Sequence, residues 1–361
     1  MEVAVEVSGI ASSAGTATSR AVTQCPHALD VAAEVARIAS APAAVEDRAV
    51  ALLEPLHRIV PFEGAWIAVL DPERDVYLPL LDGSAAAPLQ AYFRTPAANE
   101  ELELVGLSRP RPPLCLRDSP VPPEETVAWM DYLWPAGFQE GLAVGLFAPD
   151  GRHVGFLGLL TDTTAHPTDA ARDLVGVLAP TIASAIDRLP ALATAARMVS
   201  RALAGVVLTG AGRTMPLPGL AQHRLLTRES PVTAVAADLV SGGASHGSFL
   251  CPAGDRDQPD RHLRVTVLSC TREPPDHLRA VVLLSAAGEL YGLTPVELRL
   301  LGLLIEDWPD ARIGAALGIP DSAVAGHVET ISARVRAPSR AIAVLRALRH
   351  GLYVPRALGC D

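Results

Sequence analysis

The sequence predicts an α+β chain that closes in an all-helical domain. Three observations carry that expectation. Apolar residues recur at helical spacing in some stretches and in short continuous runs in others, so helices and strands are mixed. Two pairs of apolar runs flank tight-turn residues, the pattern of antiparallel hairpins. From Thr294 to Leu348 the spacing is helical throughout, punctuated by capping residues.

The chain has 361 residues, 49% hydrophobic and 19% charged, enough for two or three packed cores at roughly 150 residues each. No apolar run reaches the roughly 18 residues a membrane span needs. The amino terminus carries no basic residue before Arg20, so it does not read as a secretory signal, and a soluble cytoplasmic protein is expected. The five cysteines, Cys25, Cys115, Cys251, Cys270 and Cys360, are odd in number and widely spaced. They encode neither a disulfide framework nor a zinc finger. A formal net charge of −10 argues against a chain that coats nucleic acid along its whole length. All 30 basic residues are arginine, so any motif that uses lysine must appear here as arginine or be missing.

Residues 1–24 are rich in Ser, Thr, Ala and Gly and are expected to be a disordered leader. A first domain is expected over 25–189. Helical spacing from Leu29 to Ile59, broken at Ala41-Pro42, predicts two helices, the second burying Val50, Leu53, Leu56 and Ile59. Gly64–Leu70 and Val76–Leu78 flank Asp71-Pro72-Glu73-Arg74 and predict a hairpin. Gly141–Phe147 and His153–Leu160 flank Pro149-Asp150-Gly151 and predict another. Asp169–Leu189 reads as a helix with Leu174, Val177, Leu178, Ile182 and Ile186 on one face, ended by Pro190.

This order, with the Pro-rich segment Pro110 to Pro123 between the hairpins and His166-Pro167-Thr168 before the last helix, resembles the GAF family of small-molecule sensor domains. The resemblance implies an antiparallel sheet and a ligand pocket, but the cyclic-nucleotide pattern of some members is absent. Trp129, Tyr132, Trp134 and Phe138 gather within ten residues. They are the candidates for the pocket wall, because pockets are lined by aromatic side chains with few polar groups. The alternative is a loop and helix packed over an open sheet face. Cys115 reads as a strand residue that behaves as a small hydrophobe.

A connecting helix is expected over 190–204 and a second module over 205–290. There Val206–Thr209, Arg264–Leu268 and Ala280–Leu284 read as strands, with a Gly-rich turn at Gly210-Ala211-Gly212. This layout is similar to a PAS-type module. Gly243-Ala244-Ser245-His246-Gly247 fits the G-x-S-x-G nucleophile pattern, which needs a strand before the serine and a helix after it. Ser248 to Gly254 cannot begin a helix, so a flexible loop is expected, and an esterase built on Ser245 is a remote alternative. His246, Cys251, His262, Cys270 and His277 fit no zinc spacing, and no metal or cofactor is expected. No G-x-x-x-x-G-K-[ST] loop is present, which excludes that route to nucleotide hydrolysis.

The domain expected over 291–355, followed by a tail at 356–361, opens on Thr294-Pro295-Val296-Glu297, a capping box with proline at the first helical position. Leu298, Leu301, Leu304 and Ile305 give one apolar face, and Asp310 to Leu317 a short second helix. Gly318 makes the turn. A third helix from Asp321 carries the stripe Val324, Val328, Ile331 and Val335, and a fourth from Arg340 to Leu348 is expected to bury Ile342, Leu345 and Leu348. The string Leu293-Thr294-Pro295-x-Glu297, then Ile313-Gly314-x-x-Leu317-Gly318-Ile319, then Val324-x-x-His327-Val328-x-x-Ile331, then Ser339-Arg340-x-x-Ala343 resembles the LuxR-type DNA-binding domain.

That resemblance implies a four-helix, helix-turn-helix domain whose third helix enters the major groove. Ser322, Ala325, Gly326, His327, Glu329, Thr330, Arg334 and Arg340 are then the candidate DNA contacts. Two features depart from the family. Ala325 stands where relatives keep lysine, and Glu329 is an acid where others carry a base. From Leu293 to Pro355 seven arginines meet six acids, a balance that gives weak counterion-release affinity for DNA. A DNA-binding regulator that senses a small molecule or partner, acting as a homodimer on paired half-sites, is expected. The alternative is a ligand-binding or interaction protein whose DNA-binding face has degenerated.

Overall fold

The computed structural model describes residues 28–81, 87–254, 260–270 and 277–359; the expected leader, Cys25 and Cys360 lie outside them. The chain divides into two compact units, Met1–Arg188 and Leu189–Asp361. Among the described residues no single helix is long and apolar enough to cross a membrane.

The first unit is built on a five-stranded antiparallel sheet of β1 (Gly64–Asp71), β2 (Val76–Pro79), β3 (Leu114–Cys115), β4 (Glu140–Phe147) and β5 (His153–Thr161), in the order β2-β1-β5-β4-β3. Both expected hairpins form; Ala68 pairs with Pro79, and Ala143 with Gly158. Strand alternation sends Ile67, Val69, Leu157 and Leu159 to one face and Trp66, Ala68 and Phe156 to the other. The first face is covered by α1 (Ala28–Ala39), α2 (Val45–His57) and α5 (Asp169–Ile186). The second is covered by α3 (Ala87–Phe93), α4 (Pro96–Leu104) and a π-helical turn at Ala128–Leu133.

Two helix faces differ from the sequence reading. In α2 Leu56 is buried as expected, but the stripe runs through Ala49 and Leu52 instead of Val50 and Leu53, and Val50 is 58% exposed. The small Ala49 side chain lets α2 approach α1 and α5 closely, which Val50 would not. In α5 Val177 lies outside the buried stripe of Leu174, Leu178, Ile182 and Ile186.

The second unit opens with α6 (Leu189–Ser200), shorter than the connecting helix expected, and repeats the strand order of the first. Its sheet of β6 (Ala204–Thr209), β7 (Thr214–Pro216), β8 (His246–Pro252), β9 (His262–Ser269) and β10 (Leu278–Ala286) runs β7-β6-β10-β9-β8, again antiparallel. The segment expected as a flexible loop after Ser245 is therefore strand β8; it alternates poorly, because Phe249, Leu250 and Cys251 are all buried. One face of the sheet packs on α6, and the other on α7 (Pro231–Ser241).

The carboxy-terminal helices share that second core rather than owning one. They are α8 (Pro295–Ile305), α9 (Asp310–Leu317), α10 (Asp321–Arg334), α11 (Arg340–His350) and the short α12 (Arg356–Gly359). The continuous cluster runs from Val206, Leu250 and Val265 of the sheet through Leu298, Leu301 and Ile313 to Ile331. Helix α8 also buries Leu300 and Leu303, so it is apolar on two sides and sits between the sheet and its own helical neighbours. After α11, Leu352, Tyr353 and Val354 thread into this core: Leu250 N donates to Tyr353 O at 2.8 Å and Val354 N to Leu298 O at 3.0 Å. Arg264 of β9 donates to Ala287 O at 2.8 Å and to His350 O at 2.5 Å, tying the sheet to both ends of the helical segment. Helix α11 buries Ala343 and Ala347, while Leu345 and Leu348, expected inside, are 58% and 47% exposed. Small residues on its inner face permit the close contact with α8 and α10.

Gly302 is where the threaded segment meets α8. A Cβ there would lie 2.0 Å from Val354 O. Gly302→Ala is expected to lower the stability of the full chain by at least about 2 kcal/mol, since overpacking a fixed backbone forces strain. Urea unfolding measures it, and an unchanged midpoint would mean the segment is not seated there.

The first unit carries a pH dependence of its own. The half-buried His153 stacks on Phe147 at 4.6 Å, with its Nε2 2.8 Å from Gly155 O, and burial holds its pKa below the ordinary 6.5. The unfolded chain therefore takes up the proton first as pH falls, and stability is lost on acidification below about 6.5. His153→Phe keeps the ring stack and removes the proton. Thermal unfolding between pH 7.5 and 5.5 should show a smaller acid destabilisation in that variant than in the parent chain.

Candidate functional site

Two places combine geometry with chemistry, one in each unit. In the first, a cavity of about 110 Å³ lies between the sheet and its looser cover. Trp66 of β1 and Gly158 of β5 are register partners on adjacent strands, with Gly141 and Ala143 of β4 on the next strand. The room exists because these positions are small: a Cβ on Gly158 would meet Trp66 Cβ at 3.6 Å, an ordinary contact. Phe93, Leu102, Trp129 and Leu133 close the space from the covering elements.

The cover is positioned by two buried or bridging carboxylates. Glu140, 4% exposed, accepts from Leu116 N at 2.7 Å and from Gly141 N at 2.9 Å, and fixes β3 and the turn after it. Glu101 of α4 accepts from Val127 N at 2.7 Å and Tyr92 Oη at 2.8 Å, and so caps the π-helical turn. Burial and this hydrogen bond push the Tyr92 phenol well above its usual range. Burial pushes the Cys115 thiol up to about 11, so at neutral pH the wall presents a thiol and not a thiolate.

Of the four aromatic candidates, Trp129 lines this cavity. Tyr132 stacks on Tyr92 at 5.4 Å, Phe138 packs over Gly64, and Trp134 tilts against Trp129 at 6.2 Å; none of these three is in the wall. The residues that sequence reasoning missed are Trp66, Phe93 and the glycines. Trp66 sits in an apolar strand run, where an aromatic residue reads as core; no local signal marks it.

In the second unit the four expected carboxy-terminal helices form as α8 to α11. Thr294 Oγ1 accepts from Glu297 N at 3.3 Å, and Glu297 Oε2 accepts from Thr294 N at 2.7 Å. Gly318 ends α9 in the left-handed region at φ 65°, the conformation glycine adopts without cost. Val324, Val328 and Ile331 bury one side of α10, while Ser322, Ala325, Gly326, Glu329 and Thr330 are exposed on the other. Thr330 Oγ1 turns back to donate to Gly326 O at 2.9 Å.

The basic candidates are arranged differently. Arg334 forms an ion pair with Glu297, which is only 2% exposed, and His327 Nδ1 lies 3.9 Å from the same carboxylate. Arg340 pairs with Asp310 at 2.7 Å. The capping glutamate is thus a hub that draws the end of α10 onto the start of α8. Ser245 lies between α7 and β8, so helix precedes it and strand follows, the reverse of the order that the nucleophile pattern requires.

Arg334→Ala is expected to lower stability by roughly 1–2 kcal/mol, the range of a hydrogen bond to a charged group discounted for partial exposure. The salt dependence of any DNA binding should stay unchanged. A phosphate contact at Arg334 would instead reduce the slope of log affinity against log salt by about one.

Neither a family model nor a curated protein sequence matches the chain. Among solved structures, it is similar to the VqmA dimer of Vibrio cholerae, a LuxR-type receptor, at 15% identity over 46% of this chain and 92% of that one, with a TM-score of 0.25. It is similar to a domain of a two-component sensor histidine kinase from Sinorhizobium meliloti 1021 at 15% identity, over 42% and 97% of the two chains, with a TM-score of 0.33. A bacteriophytochrome from R. palustris aligns at 11% identity over 71% and 63%, with a TM-score of 0.31. At scores this low the likenesses fix no feature of this chain.

Proposed function

We propose that this chain is a ligand-sensing, DNA-binding transcriptional regulator. The first unit is a GAF-like sensor holding its ligand in the cavity beside Trp66 and Trp129; the second joins a PAS-like sheet to a LuxR-type helix-turn-helix. The observation that carries the reading is α10: a helix buried along one stripe and held out after a left-handed glycine turn, with small and polar residues along its free side. Ala325 and Gly326 allow close approach to base edges, and Ser322 and Thr330 supply hydroxyls. The regulator acts as a homodimer, because helix-turn-helix proteins read paired half-sites. It is not an enzyme on this reading, since Ser245 has the wrong flanking order.

A second reading is favoured by the charge arrangement. Arg334, His327 and Arg340 face carboxylates, and the free face of α10 keeps Glu329. On that reading the face meets a protein.

A salt-titrated shift assay with the chain's own upstream DNA separates the two. Glu329→Lys is expected to raise non-specific affinity and steepen the salt slope by about one unit, while selectivity for the native site falls. Ala325→Arg should act in the same direction. Unchanged slopes in both variants would place α10 away from DNA and favour the interaction reading.

A further inference from the structure

The cavity of the first unit is selective in a way its wall makes explicit. Its polar side chains are few, and most are already engaged. Both oxygens of Glu101 accept from the chain: Oε2 from Val127 N and Tyr92 Oη, and Oε1 from Ala128 N at 3.3 Å. Ser119 Oγ donates to Val121 O at 2.7 Å, and Thr126 Oγ1 to Pro123 O at 2.8 Å. Cys115 is a protonated thiol.

Trp66 differs. It is 6% exposed, lines the cavity, and its buried Nε1 has no hydrogen-bond partner among the described residues. A buried donor without an acceptor costs about 1–3 kcal/mol, so such groups call for an explanation.

Charge decides what can supply the acceptor. An anion would meet the Glu101 carboxylate at the wall. A cation would find that carboxylate already taken by two amides and a phenol, and no other acid in the lining. Size sets a second limit, because an apolar cavity of roughly 150 Å³ takes a benzene-sized guest, and this one is about 110 Å³.

Deepening the sensor reading on which it rests, we infer that the cavity takes a small, uncharged, mostly apolar molecule of one ring or less, bearing one hydrogen-bond acceptor that receives the Trp66 Nε1 proton. The ligand class is that of small cyclic ketones, lactones and ethers. Trp66 selects the acceptor, while Trp129 and Phe93 supply apolar contact.

Three small probes of similar size test this on the full chain by calorimetric titration: cyclobutanone, methylenecyclobutane and cyclopropanecarboxylate, the first two smaller than benzene and the third matched to it in heavy atoms. The indole N–H resonance that disappears in Trp66→Phe reports the bond directly. Cyclobutanone is expected to bind and to shift that resonance downfield, and the carboxylate not to bind at the same concentrations. Trp66→Phe should weaken cyclobutanone by about three- to tenfold, the worth of one net hydrogen bond, and leave methylenecyclobutane within twofold. Ala143→Leu, which fills the space, should remove binding of both. Equal weakening of both probes by Trp66→Phe, binding of the carboxylate as tight as the ketone, or no binding of any probe would each overturn the assignment. The α10 salt-slope test is separate. Loss of DNA binding with cyclobutanone binding intact removes the regulator reading and leaves this site standing, whereas DNA binding without ketone binding does the opposite.

Discussion

The central strand of each sheet is buried along nearly its whole length: β5 through Val154–Leu159, and β10 through Ala280–Ser285. A strand that is apolar toward both sides cannot lie with one face in water, as many antiparallel sheets do. Each sheet therefore needs two covers, and the two units meet that demand with different material. In the first, three long helices close one face tightly, and short helices and turns close the other. In the second, α6 takes one face, and α7 with the carboxy-terminal helices takes the other. The architecture follows from finding enough apolar surface to finish four faces.

The consequences differ with the quality of each cover. Short elements held by Glu140 and Glu101 cannot interdigitate as long helices do, and glycine and alanine on β4 and β5 withhold the side chains that would fill the gap. A cavity results on that face. In the second unit the cover includes the carboxy-terminal helices. The first of these helices is apolar on two sides, and the last segment pairs with the edge strand β8, which blunts an otherwise open edge. The carboxy-terminal helices are thereby anchored through α8 and the threaded residues Leu352–Val354, while α10 packs on α9 and α11.

Elements with strong local signals were legible in the sequence. The hairpins were written by Asp-Pro and Asp-Gly turns, and the carboxy-terminal helices by the Thr294 capping box, Gly318 and the Val324–Val335 stripe. What failed were decisions made by partners distant in sequence. The stripe of α2 rests on Ala49, because close helix packing selects the small residue over Val50. Helix α11 likewise turns Ala343 and Ala347 inward, and leaves Leu345 and Leu348 outside. Strand β8 was hidden because burial on both sides erased its alternation. The cavity wall was only partly legible. The aromatic cluster marks the cover, and its Trp129 lines the cavity, whereas Trp66 lies in an apolar run that gives no hint of an unpaired indole. The double-sided apolarity of α8 was visible in Leu298–Leu304, and read correctly it points to a helix with two neighbours.

The same long-range logic governs charge. Composition counts seven arginines in the last domain, which invites an electrostatic account of DNA binding, yet a count is blind to pairing. Of the seven, Arg334 is occupied by Glu297 and Arg340 by Asp310, while Arg312 stacks on Trp308 at 3.6 Å. Arginines committed in this way hold the helices to one another, so the count overstates the positive charge that remains free. The exposed side of α10 sharpens the contrast: Ser322, Ala325, Gly326 and Thr330 are uncharged there, and Glu329 among them is an acid. Pairing across the helices, and not composition, sets the charge of that face.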